Sequence, residues 1–393
     1  MPQARPESLD QSLASLKARQ RPSPQGAKTG VGAHCAAPPT MGRMFRADLE
    51  SLAAYVPGAR NDHAVKLSSN ESAEAPLPGV TQAMVDALGQ VNRYPDMGAV
   101  ALREALAAHL GVTSEQVAVG TGSSALCQQL VTATSAPGDE VIFPWRSFEA
   151  YPIFVQVAGA TPVPVPLTED FRVDLAAMAD AVTEHTSMIF VCNPNNPTGS
   201  TVTAAEFTEF MARVPADVLV ALDEAYFEYN HAEDTPRATE EVAKYSNLVG
   251  LRTFSKAYGL AGARVGYAFG PAPIIEALNK VAVPFSISTV AQAGAVASLS
   301  LGDELSTRID ETCTERARLV EFLSGYGTLA TQTNFVWVPA ANLPVAPKEF
   351  AAALAEAGVL VRAFDDGIRV SVTNSRETDA CIAAWQTVAG SYS

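Results

Sequence analysis

The sequence predicts an α/β fold with a mainly parallel sheet, followed by a smaller α+β domain at its C-terminal end. From about residue 98, segments with helical periodicity alternate with short, continuous apolar runs. Such runs are typical of parallel strands that helices cover on both faces. Beyond about residue 285, long helical segments precede three short apolar runs, which favours a separate unit with a largely antiparallel sheet.

The large domain begins with a predicted helix and continues as strands separated by helix-length segments. In "VALREALAAHL", Leu102, Leu106 and Leu110 share one helical face, and the apolar run "VAVG" at 117 follows. Parallel strands need crossover connections of a dozen residues or so, which these spacings provide. The remaining predicted strands are "EVIF" at 140, "SMIFVC" at 187, "DVLVALD" at 217, "NLVGL" at 247 and "RVGYAF" at 264.

The small domain is predicted from two long helical patterns and three strands. The helical patterns cover 290–301 and 304–326, and the strand sequences are "FVWV", "VLVRA" and "IRVSVT". We therefore expect an N-terminal arm over 44–75 that joins the small domain, a large domain over 76–285 and the small domain over 286–393.

Residues 1–43 differ in composition from the rest of the chain. They contain six Lys or Arg against two acidic residues, a net charge of +4, whereas the whole chain carries −15. They are also rich in Pro, Gly and Ser, which predicts a disordered tail. An alternative is that translation starts at Met41 or Met44.

Composition excludes several classes of function. A net charge of −15 opposes binding to nucleic acid or to an anionic membrane, and no apolar run approaches the roughly 18 residues of a membrane span. The five cysteines lack CxxC spacing and the five histidines lack an HExxH pair, so neither a disulfide framework nor a metal site is expected. Cysteines that stay free thiols are typical of proteins in the reducing cytoplasm, which we therefore expect as the location.

Four polar stretches lie where predicted strands end, the edge at which open α/β sheets bind ligands. They are "GTGSSAL" at 120, "NPNNPTG" at 193, "DEAYFEY" at 223 and "RTFSKAYGLAGARVGY" at 252. Each has an ordinary interpretation, since glycine and serine cap helices, Asn-Pro forms turns, Asp223 suits a turn and a single lysine usually lies at the surface. A carboxylate ending a buried strand, however, requires a compensating cation.

Taken together, these four stretches resemble the fold-type I pyridoxal-phosphate enzymes, within them the histidinol-phosphate and aromatic aminotransferase group, and most closely the actinobacterial aromatic (phenylalanine) aminotransferases. The resemblance extends from about Phe45 to Trp385. It implies a mainly parallel seven-stranded sheet, the cofactor pyridoxal 5'-phosphate and transfer of amino groups between amino acids and 2-oxo acids.

The resemblance also implies roles for individual residues. Lys256 would bind the cofactor aldehyde through its amine and move the substrate's proton, so its pKa must be lowered. Asp223 would pair with the ring nitrogen, Tyr226 and Asn196 with the phenolic oxygen, and Phe148 would stack on the ring.

The phosphate group of the cofactor would be held by a turn and two further side chains. The predicted phosphate ligands are Ser123, Ser124, Ala125, Ser255 and Arg264. Tyr94, in "NRYPDMG", matches a tyrosine that reaches the phosphate from a second subunit, which implies a homodimer.

Substrate recognition is implied at the C-terminal domain. Arg369 would bind the α-carboxylate as a planar fork, with Arg362 as a second contact and Asn196 beside them. We expect a ping-pong aminotransferase that converts phenylalanine or tyrosine and 2-oxoglutarate to an aryl-pyruvate and glutamate. Alternatives are histidinol phosphate as the donor, a lyase or decarboxylase on the same fold, and a non-catalytic cofactor-binding regulator.

Overall fold

The structure, a computed structural model, describes residues 46, 49, 52, 54, 61 and 63–392. The predicted tail over 1–43 lies outside the described residues, as does most of 44–62. Both sheets of the molecule belong to one compact unit, residues 48–393. The predicted domain limits at 75 and 285 stay predictions.

Eleven strands form the two sheets of the described part of the chain. They are β1 (Val65–Leu67), β2 (Val117–Gly120), β3 (Glu140–Trp145), β4 (Thr161–Pro166), β5 (Thr186–Cys192), β6 (Leu219–Asp223), β7 (Leu248–Thr253), β8 (Gly266–Phe269), β9 (Phe335–Pro339), β10 (Val359–Ala363) and β11 (Gly367–Ser371). Every strand that the apolar runs predict is among them.

The helices of the described residues cover both sheets and supply the connections. They are α1 (Val80–Ala87), α2 (Val100–Leu110), α3 (Ser123–Thr134), α4 (Tyr151–Ala158), α5 (Leu175–Asp180), α6 (Ala204–Arg213), α7 (Ala238–Glu241), α8 (Ala272–Val281), α9 (Thr289–Leu299), α10 (Gly302–Phe322), α11 (Pro347–Glu356) and α12 (Ser375–Gly390). Local sequence explains several starts: Thr203 and Glu206 form a capping box on α6, and Ser288 and Asn374 cap α9 and α12.

The large sheet has seven strands in the order β2-β8-β7-β6-β5-β3-β4, which confirms the mainly parallel α/β prediction. Only β8 runs antiparallel to its neighbours β2 and β7. Successive side chains of the central strands enter opposite cores: Val220 and Leu222 pack on one face, Leu219 and Ala221 on the other. Because helices cover both faces, these strands are mainly apolar, and polar residues stand near their ends, such as Asp223 on β6.

The small sheet has the order β1-β10-β11-β9, with two antiparallel pairings and one parallel pairing between β1 and β10. Its core includes Val336 and Val338 on β9 and Trp385, which is 1% exposed, on α12. Strand β1 belongs to the N-terminal arm, so the segment that follows it is held beside β10 and β11.

Two details differ from the sequence prediction. Strand β4 was not predicted, because its sequence "TPVPVP" contains three prolines, which argue against a strand. It lies at the sheet edge, where a missing backbone N–H is tolerated. Strand β8 begins at Gly266 rather than at 264, because Arg264 has a left-handed backbone with φ of 57°.

Within the described residues, no helix has both the length and the apolar character needed to span a membrane. The same part of the chain contains no group of three or more His, Cys, Asp and Glu side chains placed to hold a metal ion.

Candidate active site

A cavity of about 470 Å³ lies at the C-terminal ends of the central strands of the large sheet. Its walls come from the large domain, from the arm segment 68–71 and from β10 and β11 of the small sheet. Of the predicted site residues, the cavity brings together Ser123, Ser124, Phe148, Asn196, Asp223, Tyr226, Ser255, Lys256, Arg264, Arg362 and Arg369.

Lys256 follows β7 by three residues, and its Nζ donates to the carbonyl oxygen of Ser69 at 3.1 Å. Removal of the amine from water, together with the positive charges of Arg369 and Arg264 and against an opposing effect of Glu71, lowers the pKa of Lys256 to about 7. The amine is therefore largely unprotonated just above neutral pH.

Asp223 is the last residue of β6 and is 4% exposed. The hydroxyl of Tyr151 donates to its Oδ2 at 2.6 Å and the Ala225 N–H to its Oδ1 at 3.2 Å. Burial raises the pKa of Asp223 to about 6, while these two hydrogen bonds lower it. This carboxylate is held rigidly at the base of the cavity, where a cationic group would stabilise it.

Tyr226 and Asn196 lie on adjoining loops, as expected from strands β5 and β6, which are neighbours. The Tyr226 hydroxyl accepts a hydrogen bond from Asn70 Nδ2 at 2.9 Å, and the Asn196 amide oxygen accepts one from Arg369 at 2.5 Å. Burial raises the pKa of Tyr226 well above its usual range, so this phenol is a neutral hydrogen-bonding group at physiological pH.

The end of the cavity next to α3 is formed by close backbone packing. Arg264 Nη1 donates to Ser255 Oγ at 3.3 Å, and Nη2 to the Thr121 carbonyl at 3.4 Å. Gly122 has a φ of 80°, a backbone conformation that favours glycine, and its missing side chain leaves room for the Arg264 guanidinium group. N–H groups at a helix start and one guanidinium group are suited to a phosphate.

Two predicted residues do not line the cavity. Ala125 lies one residue beyond the lining, and its N–H donates to the Gly122 carbonyl at 3.2 Å. Tyr94 is 82% exposed and stacks on Phe285 with ring centroids 4.7 Å apart. The predicted contacts of both residues with a phosphate group stay predictions.

The structure adds residues that sequence reasoning missed, namely Ser68, Ser69, Asn70, Glu71, Glu149 and Tyr151. Asn70 lies 156 positions from the tyrosine that it contacts, and Tyr151 lies 72 positions from Asp223. Tyr151 had one usable signal, since it follows Phe148 by three residues in the stretch "SFEAY".

Residues 62–384 match the family described as aminotransferase class I and II. The chain is 60% identical over 345 residues to the aromatic amino acid aminotransferase of Corynebacterium glutamicum strain R, covering 88% of this chain and 99% of the relative. It is 54% identical to the aromatic amino acid aminotransferase of Rhodococcus jostii strain RHA1, over 86% of this chain and 94% of that relative. A histidinol-phosphate aminotransferase from Sinorhizobium meliloti, solved in complex with pyridoxal 5'-phosphate, superposes with a TM-score of 0.80 at 29% identity, covering 89% and 99% of the two chains.

Proposed function

We propose that this chain, which belongs to the aminotransferase class I and II family, exchanges amino groups between an aromatic amino acid and 2-oxoglutarate. The observation that carries the proposal is the cavity in which Lys256, Asp223 and Arg369 meet at the strand ends. The 51–60% identity to actinobacterial relatives named aromatic amino acid aminotransferase supports the substrate class. Phenylalanine and tyrosine are the expected donors.

The enzyme uses pyridoxal 5'-phosphate, and the residues of the cavity fit that cofactor. When bound, it supplies an aldehyde for covalent attachment and a ring that accepts the electrons released with the α-proton. Ser255, Arg264 and the start of α3 present donors suited to its phosphate. Asp223 is the buried carboxylate that would pair with a protonated ring nitrogen.

In this proposal the protein side chains orient the substrate and move its proton. Arg369 holds the α-carboxylate through its guanidinium group, since it already faces the cavity beside Asn196. The Lys256 amine, with a pKa lowered to about 7, would accept the proton from the substrate's α-carbon and would return it at the C4′ carbon of the cofactor. Phe148, which lines the cavity, would cover one face of the ring, and Tyr226 and Asn196 would supply hydrogen bonds to its phenolic oxygen.

A donor panel with 2-oxoglutarate tests the substrate class directly. We expect phenylalanine and tyrosine to exceed leucine, aspartate and histidinol phosphate in kcat/KM. The second candidate, histidinol phosphate, is favoured by the similarity to the Sinorhizobium meliloti structure and by two arginines in one cavity. A preference for that donor would replace our proposal, and release of ammonia or carbon dioxide would indicate a lyase or decarboxylase instead.

Two substitutions test the roles of the site residues. Lys256→Ala is expected to abolish turnover and the absorbance band that borohydride bleaches. Asp223→Asn is expected to retain the cofactor and lose most of the turnover, because the neutral amide no longer favours a protonated ring. Full turnover in either variant would contradict the assigned role.

We also propose a homodimer in which Tyr94 reaches the neighbouring site. Exposed apolar side chains around it, namely Val91, Met97, Val283 and Phe285, support an interface at this surface. Mixing Tyr94→Ala subunits with Lys256→Ala subunits is expected to restore part of the activity, because one site of each hybrid contains both native residues. No restoration in a dimer that exchanges subunits would contradict the arrangement.

The cytoplasm is the proposed location. The described cysteines, Cys127, Cys192, Cys313 and Cys381, are free thiols, as the reducing cytoplasm favours. Activity recovered from a membrane or extracellular fraction of cells would contradict this location.

A further inference from the structure

Two arginine side chains of the small sheet stand next to each other at the cavity. Arg362 on β10 and Arg369 on β11 are register partners of an antiparallel pair. Their side chains therefore lie on the same face of the sheet, with Cβ atoms about 5 Å apart. Both line the cavity that contains Lys256, so the two guanidinium groups face the substrate side by side.

The two arginines differ in the groups that accept their hydrogen bonds. Arg369 donates to the amide oxygen of Asn196 at 2.5 Å and to the carbonyl oxygen of Ser68 at 2.7 Å, and neither acceptor is charged. Arg362 faces the carboxylate of Glu149, with Nη2 3.0 and 2.8 Å from its two oxygens and Nε 3.2 Å from one. Glu149 thus neutralises the charge of Arg362 inside the cavity.

The wall that contains Glu149 is otherwise apolar. Glu149 follows Phe148 in the loop between β3 and α4, and Ile153 and Phe154 of α4 line the same cavity. The side chains of Arg362 and Glu149 are 17% and 30% exposed. Because the pair is still in contact with water, Glu149 can be rehydrated when it leaves, and another carboxylate that takes its place on Arg362 restores the same charge pairing.

The two substrates of the proposed reaction require opposite properties of this wall. An aromatic ring binds best where the wall has no uncompensated charge, because the ring displaces the water that solvates such a charge. The side-chain carboxylate of glutamate or 2-oxoglutarate binds best beside a cation. One cavity must satisfy both substrates in alternate half-reactions.

We propose that Glu149 is a specificity-determining residue of this enzyme, an inference that rests on the proposed function. With an aromatic substrate, Glu149 stays on Arg362 and keeps the wall neutral. With glutamate or 2-oxoglutarate, the substrate's side-chain carboxylate takes the place of Glu149 on Arg362. The exchange needs only side-chain rotations, since both arginines already face the cavity.

A purely structural role for the same ion pair makes a different prediction. Glu149 lies in a loop that follows β3 of the large sheet, and Arg362 lies on β10 of the small sheet. Their contact therefore also joins the two sheets of the molecule. If it served only to hold them together, Glu149→Gln and Arg362→Gln would break the same contact and affect every substrate alike. Our proposal requires the two variants to change substrate preference in opposite directions.

The experiment measures the half-reaction of the cofactor-loaded enzyme with phenylalanine and with glutamate separately, by absorbance. Glu149→Gln is expected to raise the ratio of kcat/KM for glutamate to that for phenylalanine by about tenfold, and Arg362→Gln to lower it by a similar factor. The matched control is Asp366→Asn, which removes a carboxylate 2.8 Å from Arg146 Nε outside the cavity lining. Its ratio is expected to equal that of the wild type.

A binding measurement supports the kinetics without turnover. Maleate and 3-phenylpropionate imitate the two substrate classes but carry no amino group, and their binding shifts the cofactor's absorbance. Glu149→Gln is expected to bind maleate about tenfold more tightly than the wild type, with no gain for 3-phenylpropionate.

Each outcome decides between the interpretations. An unchanged preference in Glu149→Gln, or equal losses for both substrates in both glutamine variants, would overturn the role of Glu149. If the wild-type enzyme itself fails to react with phenylalanine and with tyrosine, the proposed function is wrong. The wild-type and variant measurements therefore separate the failure of one proposal from the failure of the other.

Discussion

Replacing Gly266 with alanine is expected to distort the proposed phosphate-binding end of the cavity, where β8 packs against the start of α3. Gly266 begins β8 and is paired with Gly120 on β2 and Thr253 on β7. A Cβ at this position would lie 2.4 Å from the Ser123 N atom and 2.7 Å from the Gly122 C atom. Both are backbone atoms, so no side-chain rotation can relieve the overlap.

The size of the effect follows from these distances. Ordinary contact begins at 3.4 Å, so the first residue of α3 must move by about 1 Å relative to β8. Overpacking of this kind destabilises a protein by about 1–3 kcal/mol. The same movement displaces the N–H groups that we propose bind the phosphate, and we expect cofactor affinity to fall by about 10- to 100-fold, or about 1.4–2.8 kcal/mol.

The assay is titration of the cofactor-free protein with pyridoxal 5'-phosphate, together with denaturant unfolding. Gly262→Ala is the matched control, because a Cβ at Gly262 has no atom within 4 Å. It lies only four positions away, and its affinity and stability are expected to equal those of the wild type. Equal cofactor affinity in both alanine variants would refute the reasoning about backbone packing.

Three further predictions concern buried ionisable groups. In the cofactor-free protein the pKa of the Lys256 amine is lowered to about 7, so its rate of reaction with added aldehydes should reach half of its maximum near pH 7 and rise above that pH. A rate that reaches half of its maximum only near pH 10.5 would contradict this. Tyr151→Phe removes a hydrogen bond that lowers the pKa of Asp223, so the pKa of Asp223 should rise above about 6. Turnover at pH 7 should then fall by about tenfold. An unchanged pH–rate profile would exclude this role of Tyr151. Glu224→Gln removes the carboxylate that lies 2.8 Å from the Nε of Arg252, a residue that is only 3% exposed. The unpaired buried charge should lower the free energy of unfolding by about 3–5 kcal/mol. A loss under about 1 kcal/mol in denaturant unfolding would contradict this prediction.

The strands of the large sheet were predictable because a strand buried on both faces needs apolar residues at successive positions. "SMIFVC" and "DVLVALD" are continuous apolar runs, and both became central strands. "TPVPVP" was not predictable, since an edge strand can contain prolines that a central strand excludes. The local sequence of β8 also does not indicate that this strand is antiparallel, because strand direction depends on how the chain returns to the sheet.

The residue types and their order along the chain determined the family, the cofactor chemistry and about half of the residues that line the cavity. Lys256, Asp223 and Asn196 each stand in a short motif whose spacing is local. What only the tertiary structure decided is which groups surround them. Glu149 meets Arg362 across 213 positions, and Lys256 meets the Ser69 carbonyl across 187. Such contacts depend on which strand ends and loops become neighbours in the folded chain, and no local periodicity records that arrangement.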